Sequence, residues 1–230
     1  MFSSEKIITI IQARMNSTRL PGKVLLNWNG SPMLQCLLER VITSRRSSKV
    51  IVATTETHSD DRIEALCMDI GVPCFRGSEH DVLDRFVQAS LTHEAAITVR
   101  LTADNPFVNG ELVDYAIDFF LSDYPKIDYL SNTDNKQFPY GLFVEVIKTS
   151  TLMDINKAAG PEEAEHVTLK IRNNPNEFNI KSLPSDRDYP NLSLTVDTYE
   201  DALTLMPLFN SLKVINPHFG LSEIANINIK

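Results

Sequence analysis

The chain is poor in the features that mark several common classes of protein. It has only three cysteines in 230 residues, Cys36, Cys67 and Cys74, with no Cys-x-x-Cys spacing and no nearby paired histidine. That argues against a disulfide framework or a zinc site and reads as reduced, buried thiols of a cytoplasmic protein. No apolar run approaches the roughly 20 residues of a membrane helix, so membrane insertion is not expected. The N-terminus enters a strand within about six residues, which leaves no room for a signal peptide. Positive charge is not in excess: the net charge is −8 and the pI about 5.1, against a nucleic-acid partner. Of the five histidines, His58, His93 and His218 show no metal-ligand spacing. There is no Walker loop, no Ser-His-Asp pattern, no internal repeat, no low-complexity tract and no linker long enough to divide the chain. One α/β domain spanning residues 1–230 is the expectation.

Against this acidic background one segment is locally basic. Ile7-Ile8-Thr9-Ile10-Ile11 is apolar on both faces and reads as a buried, parallel strand. It runs into Gln12-Ala13-Arg14-Met15-Asn16-Ser17-Thr18-Arg19-Leu20-Pro21-Gly22-Lys23, too polar and too broken by Pro-Gly for helix or strand. Loops leaving the carboxyl ends of central strands are where open α/β sheets bind ligands. Guanidinium forks suit phosphate oxygens, and lysine adds a compact charge. The segment reads either as a polyphosphate cradle built on Arg14, Arg19 and Lys23 or as a solvated loop with ordinary surface cations.

The rest of the first half alternates strand and helix. Ser31 and Pro32 read as the cap and first turn of a helix through Leu34, Leu37, Leu38, Val41 and Ile42. Strands follow at 50–53, 73–75 and 96–101, with helices through Ile63 to Ile70, Asp81 to Leu91 and Leu112 to Phe119. This predicts a doubly wound, mostly parallel sheet. Beyond Asp123 the pattern loosens. Strands within 127–149 flank a polar loop, Ser131 to Pro139, and a helix is expected over Pro161 to Ile171. Further strands are expected over Phe178 to Leu183 and Leu192 to Val196, the latter stopping at Asp197, then a helix through Tyr199 to Met206 and a short one near 221–225.

The order of residues in the basic loop resembles the nucleotide-binding loop of cytidylyltransferases that activate acidic sugars, the CMP-sialic acid and CMP-Kdo synthetases. Their pattern, Ala-Arg-x-Gly-Ser-x-Arg-x-Pro-x-Lys, is matched at Ala13, Arg14, Ser17, Arg19, Pro21 and Lys23. The nearest likeness is to the SpsF-type branch of spore coat polysaccharide biosynthesis. Asn16 stands where Gly is usual; Asn tolerates a left-handed backbone better than other residues. The chain lacks the Gly-x-Gly-x-x-Arg loop of sugar-1-phosphate nucleotidyltransferases.

The resemblance implies a three-layer α/β/α, Rossmann-like domain of the nucleotide-diphospho-sugar transferase type. Residues of about 125–190 would form a sugar-side or dimerisation subregion, in a homodimer. It implies CTP, a sugar substrate and Mg²⁺. Asp104 sits in Ala103-Asp104-Asn105-Pro106, where relatives carry a metal-binding Gly-Asp-x-Pro; read alone, it is a turn aspartate. Asp197, in Asp197-Thr198-Tyr199-Glu200-Asp201, resembles the second metal ligand of an Asp-Thr-Pro-Glu-Asp run; read alone, it is a helix cap. With Arg14 and Lys23, Asp104 forms the implied catalytic group. Arg76, Ser78 and Arg85, from Arg76-Gly77-Ser78 and Asp81-Val82-Leu83-Asp84-Arg85, are implied base or ribose contacts, joined by Thr54 and Thr55. Tyr140, Gly141, Glu145, Glu165 and His166 fall to the sugar side. The rivals are a glycosyltransferase of the related nucleotide-sugar fold and a non-catalytic nucleotide- or sugar-binding subunit. The first would use an Asp-x-Asp, present only at Asp186-Arg187-Asp188.

Overall fold

The computed structural model describes residues 5–28, 30–133, 137–185, 189 and 192–227. Parts of the 131–139 loop and the Asp186-Arg187-Asp188 run lie outside the described residues. An inner strand of the sheet is β1 (Ile7–Gln12), whose side chains divide between two layers. Ile8 and Ile10 face one core and Ile7 and Ile11 the other, as the period of two requires of a strand covered on both sides. On either flank lie β4 (Lys49–Thr55) and β6 (Ile97–Thr102), both parallel, with Ile10 opposite Ile51 and Arg100. The sheet continues through β5 (Cys74–Gly77) on one side. On the other it continues through β8 (Glu145–Lys148), β7 (Tyr129–Ser131) and β9 (Ile180–Ser182), in the order β5-β4-β1-β6-β8-β7-β9. Only β8 runs against its neighbours.

Helices cover both faces. Helices α1 (Met33–Val41), α2 (Asp61–Asp69), α4 (Gly110–Leu121) and α8 (Tyr199–Ile215) pack on one core. Helices α3 (Val82–Thr92), α5 (Thr149–Asn156) and α7 (Leu169–Asn173) pack on the other. Local chemistry starts two of them, α3 at the Asp81 the sequence reading named and α4 two residues before the Leu112 it began from. The Asp81 carboxylate accepts Asp84 N–H at 2.8 Å to open α3, and Asn109 Oδ1 accepts Leu112 N–H at 3.0 Å to open α4. The three-layer, mostly parallel sheet expected from the alternating pattern is the observed architecture.

Three expectations are corrected. Ser31–Pro32 does not cap α1: it forms β3, paired with β2 (Asn27–Trp28), and burying Trp28 takes precedence over starting the helix early. The helix expected over 161–171 is broken into α6 (Pro161–Glu165) and α7, with His166 leaving helical geometry at φ −109°, ψ 83°. Leu192 to Val196 is no strand of the sheet. It is held by a single bridge between Ser193 and Tyr140 and by Val196 N–H donating to the Asp104 carbonyl at 2.8 Å.

Candidate active site

The carboxyl ends of β1 and β6 deliver the 13–22 loop and the Thr102–Pro106 turn to one edge of the sheet. A cleft of about 270 Å³ opens there, lined by Ala13, Arg14, Ser17, Arg19, Lys23, Arg85, Asp104, Glu165, His166 and Asp197 among others.

The basic loop is folded on itself and tied to the next strand. Ser17 and Gly22 N–H both donate to the Met15 carbonyl, at 2.9 and 2.8 Å. Gly22 takes φ +75°, the left-handed turn that brings Lys23 back under the loop. Asn16 does not adopt a left-handed backbone, and its amide donates to Glu79 Oε1 at 2.9 Å. Beneath the loop lies Asp60, fully buried. Its Oδ1 accepts Met15 N–H at 2.8 Å, and its Oδ2 accepts the Thr54 hydroxyl at 2.9 Å and Thr55 N–H at 3.1 Å. Sequence reasoning missed this clamp.

Lys23 is only 8% exposed. Its ammonium donates to Asp104 Oδ2 and Asp197 Oδ1, both at 3.0 Å, and to the Val196 carbonyl at 2.9 Å. Arg19 pairs with the other Asp197 oxygen at 2.8 Å. The two aspartates therefore meet, although Asp197 does not end a strand of the sheet. The cap of α8 is made without the Asp197 carboxylate: Thr198 Oγ1 accepts Asp201 N–H, and Asp201 Oδ2 accepts Thr198 N–H. Among the described residues no three His, Cys, Asp or Glu side chains are placed to hold a metal. Two converging carboxylates still suit Mg²⁺, which takes one or two of them together with phosphate oxygens and water.

Arg14 has no hydrogen-bond or ion-pair partner among the described residues. Arg85 is 2% exposed, donates to the Ser78 carbonyl, and leaves its Nε unpartnered. Burial, and then the neighbouring Arg14 charge, lower its pKa to about 10. Two guanidiniums facing a cleft with no carboxylate of their own make that end strongly anion-seeking.

Other expected contacts lie elsewhere. Thr54 and Thr55 are buried on Asp60, and Arg76 is turned onto Asp61 and Glu64 at 2.7 Å each, so none of the three lines the cleft. The Ser78 hydroxyl accepts Asp81 N–H at 3.0 Å before α3. Tyr140 is 58% exposed and packs on Phe143 away from the cleft. Gly141 lets the 192–196 segment pass, since a Cβ there would stand 2.5 Å from Thr195 N. Glu145 is 3% exposed and spent on the Arg100 guanidinium, the Tyr129 hydroxyl and the Thr168 hydroxyl. Burial by itself would raise its pKa, but these three partners together hold it below the usual carboxylate value.

What Glu145 does is set Arg100, a cleft residue the sequence reading passed over. Arg100 Nε and Nη2 also donate to Gln12 Oε1, at 3.2 and 2.9 Å. A charge inside the apolar run Ile97-Thr98-Val99-Arg100-Leu101 was the available signal, because buried arginines require partners. Glu165 and His166 do reach the cleft, at the break between α6 and α7.

The chain is 38% identical over 229 residues to the spore coat polysaccharide biosynthesis protein SpsF of Bacillus subtilis, covering 96% of this chain and 93% of that one. It is 36% identical over 126 residues to the 3-deoxy-manno-octulosonate cytidylyltransferase of Bdellovibrio bacteriovorus, 54% of this chain and 49% of the relative. A solved cytidylyltransferase from Leptospira borgpetersenii superposes with a TM-score of 0.85 at 33% identity, covering 98% of this chain and 99% of that one. The cytidylyltransferase family model matches residues 8–226, nearly the whole chain, and the protein belongs to the cytidylyltransferase family.

Proposed function

We propose that the chain transfers CMP from CTP to a hydroxyl of an acidic sugar, with release of pyrophosphate, to supply surface polysaccharide or glycoconjugate synthesis. The observation that carries the reading is the pairing of two environments in one cleft. Arg14 and Arg85 stand without acid partners beside an aspartate pair that converges on Lys23. An in-line displacement at the α-phosphate needs the nucleophile positioned and the leaving pyrophosphate neutralised. Arg14, with Arg19 and Lys23 once the phosphates draw them from Asp197 and Asp104, would supply that neutralisation, and Asp104 and Asp197 are the residues that would hold Mg²⁺. When bound, the ion contributes charge neutralisation on the phosphates and a lowered pKa for the attacking hydroxyl. A binding subunit would need the cations but not both aspartates.

The acidic sugar is supported by the similarity to a 3-deoxy-manno-octulosonate cytidylyltransferase, and the polysaccharide setting by the similarity to a spore coat polysaccharide biosynthesis protein. Arg100 and His166, on the same cleft, are the side chains available to a sugar carboxylate and hydroxyls. The proposal extends to a single catalytic domain acting in the cytoplasm, where CTP is made, and to a homodimer using residues 125–190. Among the described residues no helix is long and apolar enough to cross a membrane.

Pyrophosphate release with Mg²⁺ and each of the four nucleoside triphosphates, over a panel of acidic sugars and sugar phosphates, tests the reading. Release only with CTP and an acidic sugar is expected. Release with a sugar 1-phosphate would transfer the protein to pyrophosphorylase chemistry.

A further inference from the structure

All four oxygens of the aspartate pair are engaged by the chain's own groups. Asp104 Oδ1 accepts the Thr102 hydroxyl at 2.6 Å and Oδ2 accepts Lys23 Nζ at 3.0 Å. Asp197 Oδ1 accepts the same ammonium at 3.0 Å, and Oδ2 pairs with Arg19 at 2.8 Å. Lys23 is equally committed, with its three N–H groups directed at two carboxylates and one carbonyl and its side chain almost wholly buried.

A magnesium ion sits about 2.0–2.1 Å from its oxygens. An ion bridging the two oxygens that the ammonium now holds, Asp104 Oδ2 and Asp197 Oδ1, would take the place of Lys23 Nζ, 3.0 Å from each, and be repelled by its charge. Metal binding at this pair therefore requires Lys23 to leave. A lone divalent cation offers Lys23 no new partner. Its departure would strand a cation whose three acceptors had satisfied it, and the cost of an unpaired buried charge opposes the exchange. A triphosphate does offer partners. Arg14, which has no partner among the described residues, and Arg85, whose Nε is unpartnered, give it a first hold, and its oxygens then compete with Asp104 and Asp197 for Lys23 and Arg19.

We propose that Lys23 is a place-holding cation: it closes the Asp104–Asp197 pair to free divalent metal, and the nucleotide's phosphates open it. The inference rests on the reading of that pair as the metal site. It fixes an order of binding, in which CTP can enter without metal and metal enters with or after CTP. It gives Lys23 a role beyond contacting phosphate.

Mn²⁺ is the probe, with free ion counted by electron paramagnetic resonance on the full chain without nucleotide. The wild type is expected to show no Asp104-dependent Mn²⁺ site below millimolar concentrations. Lys23→Met is expected to gain one at least about tenfold tighter, the modest end of what removing a close competing charge does. Adding Asp104→Asn to Lys23→Met should abolish the gain. Lys23→Gln repeats the test should the methionine variant not fold, and thermal melts report folding of each. In the wild type with a chelator present, calorimetry should still detect CTP binding. The proposal is overturned if folded Lys23 variants bind Mn²⁺ no better than the wild type, or if the wild type already has a tight, Asp104-dependent site. The parent reading fails separately if the Mn²⁺–CTP complex binds wild type and Asp104→Asn equally well.

Discussion

Asp60→Asn is the most informative single substitution in the scaffold of the site. The native carboxylate is fully buried and takes four donors, with Met15 N–H on one oxygen and Thr54 Oγ1, Thr55 N–H and Thr55 Oγ1 on the other. Asparagine keeps the shape but has one accepting oxygen. Its amide nitrogen must face donors on one side, and the smaller loss puts it against Met15 N–H. A hydrogen bond to a charged group contributes about 1.5–3 kcal/mol, and a stranded buried donor costs about 1–3 kcal/mol. Part of the second figure is contained in the first, so we expect a destabilisation of about 2–4 kcal/mol. For a domain of this size that lowers the melting temperature by roughly 5–15 °C. The functional consequence is separate from the stability loss. Met15 N–H is the tether of the loop that carries Arg14, so CTP affinity should fall about tenfold, equivalent to about 1.4 kcal/mol, even where the variant is fully folded. Urea unfolding measures the first effect, and calorimetry well below both transitions measures the second. A stability change under about 0.5 kcal/mol, the scale of an ordinary surface substitution, would refute the hydrogen-bond accounting. A destabilised variant with native CTP affinity would refute the tether.

Other expectations follow from the same geometry. Asp104→Ala should abolish turnover while leaving the melting temperature within a few degrees, and surviving turnover would remove Asp104 from the site. Arg19→Ala should weaken CTP far more than CMP in parallel titrations; equal losses would deny it a role on the phosphate tail. Glu145→Gln should destabilise the protein at neutral pH, with an acid-dependent signature. The folded-state pKa of Glu145 is depressed, so its stabilisation is present above the unfolded value and is lost as pH falls through the folded one. The gap in unfolding free energy between wild type and Glu145→Gln should therefore narrow below about pH 4, near the ordinary glutamate value. A constant gap across that window would mean the carboxylate is not ionised in the fold.

The fold was largely legible in the sequence because its signals are local. A five-residue β-branched run can only be a covered strand, and Asp81 caps α3 with a carboxylate in the chain position the pattern assigns it. The loop cations and the two aspartates were legible as residue types. Their meeting was not, since Lys23 and Asp197 are brought together by an irregular segment held by isolated hydrogen bonds. The break at His166 was illegible for a similar reason. The Thr168 hydroxyl is committed to Glu145, a tertiary contact that helical periodicity does not register. The same network explains why Glu145 looked like a ligand in sequence and is a support for Arg100 in the structure. Asp60 was hidden in a polar run, Thr54 to Asp61, where nothing in composition distinguishes the buried carboxylate from its exposed neighbour.

On the proposed reading, this cleft moves the α-phosphorus of CTP onto a sugar oxygen. Phosphorus NMR of CTP, Mg²⁺, protein and an acidic sugar measures that directly. The three triphosphate signals should give way to inorganic pyrophosphate and one new phosphodiester in equal amounts, and Asp104→Ala should produce neither. Appearance of CDP with free phosphate, or pyrophosphate with CMP and no phosphodiester, would show hydrolysis instead of transfer and would contradict it.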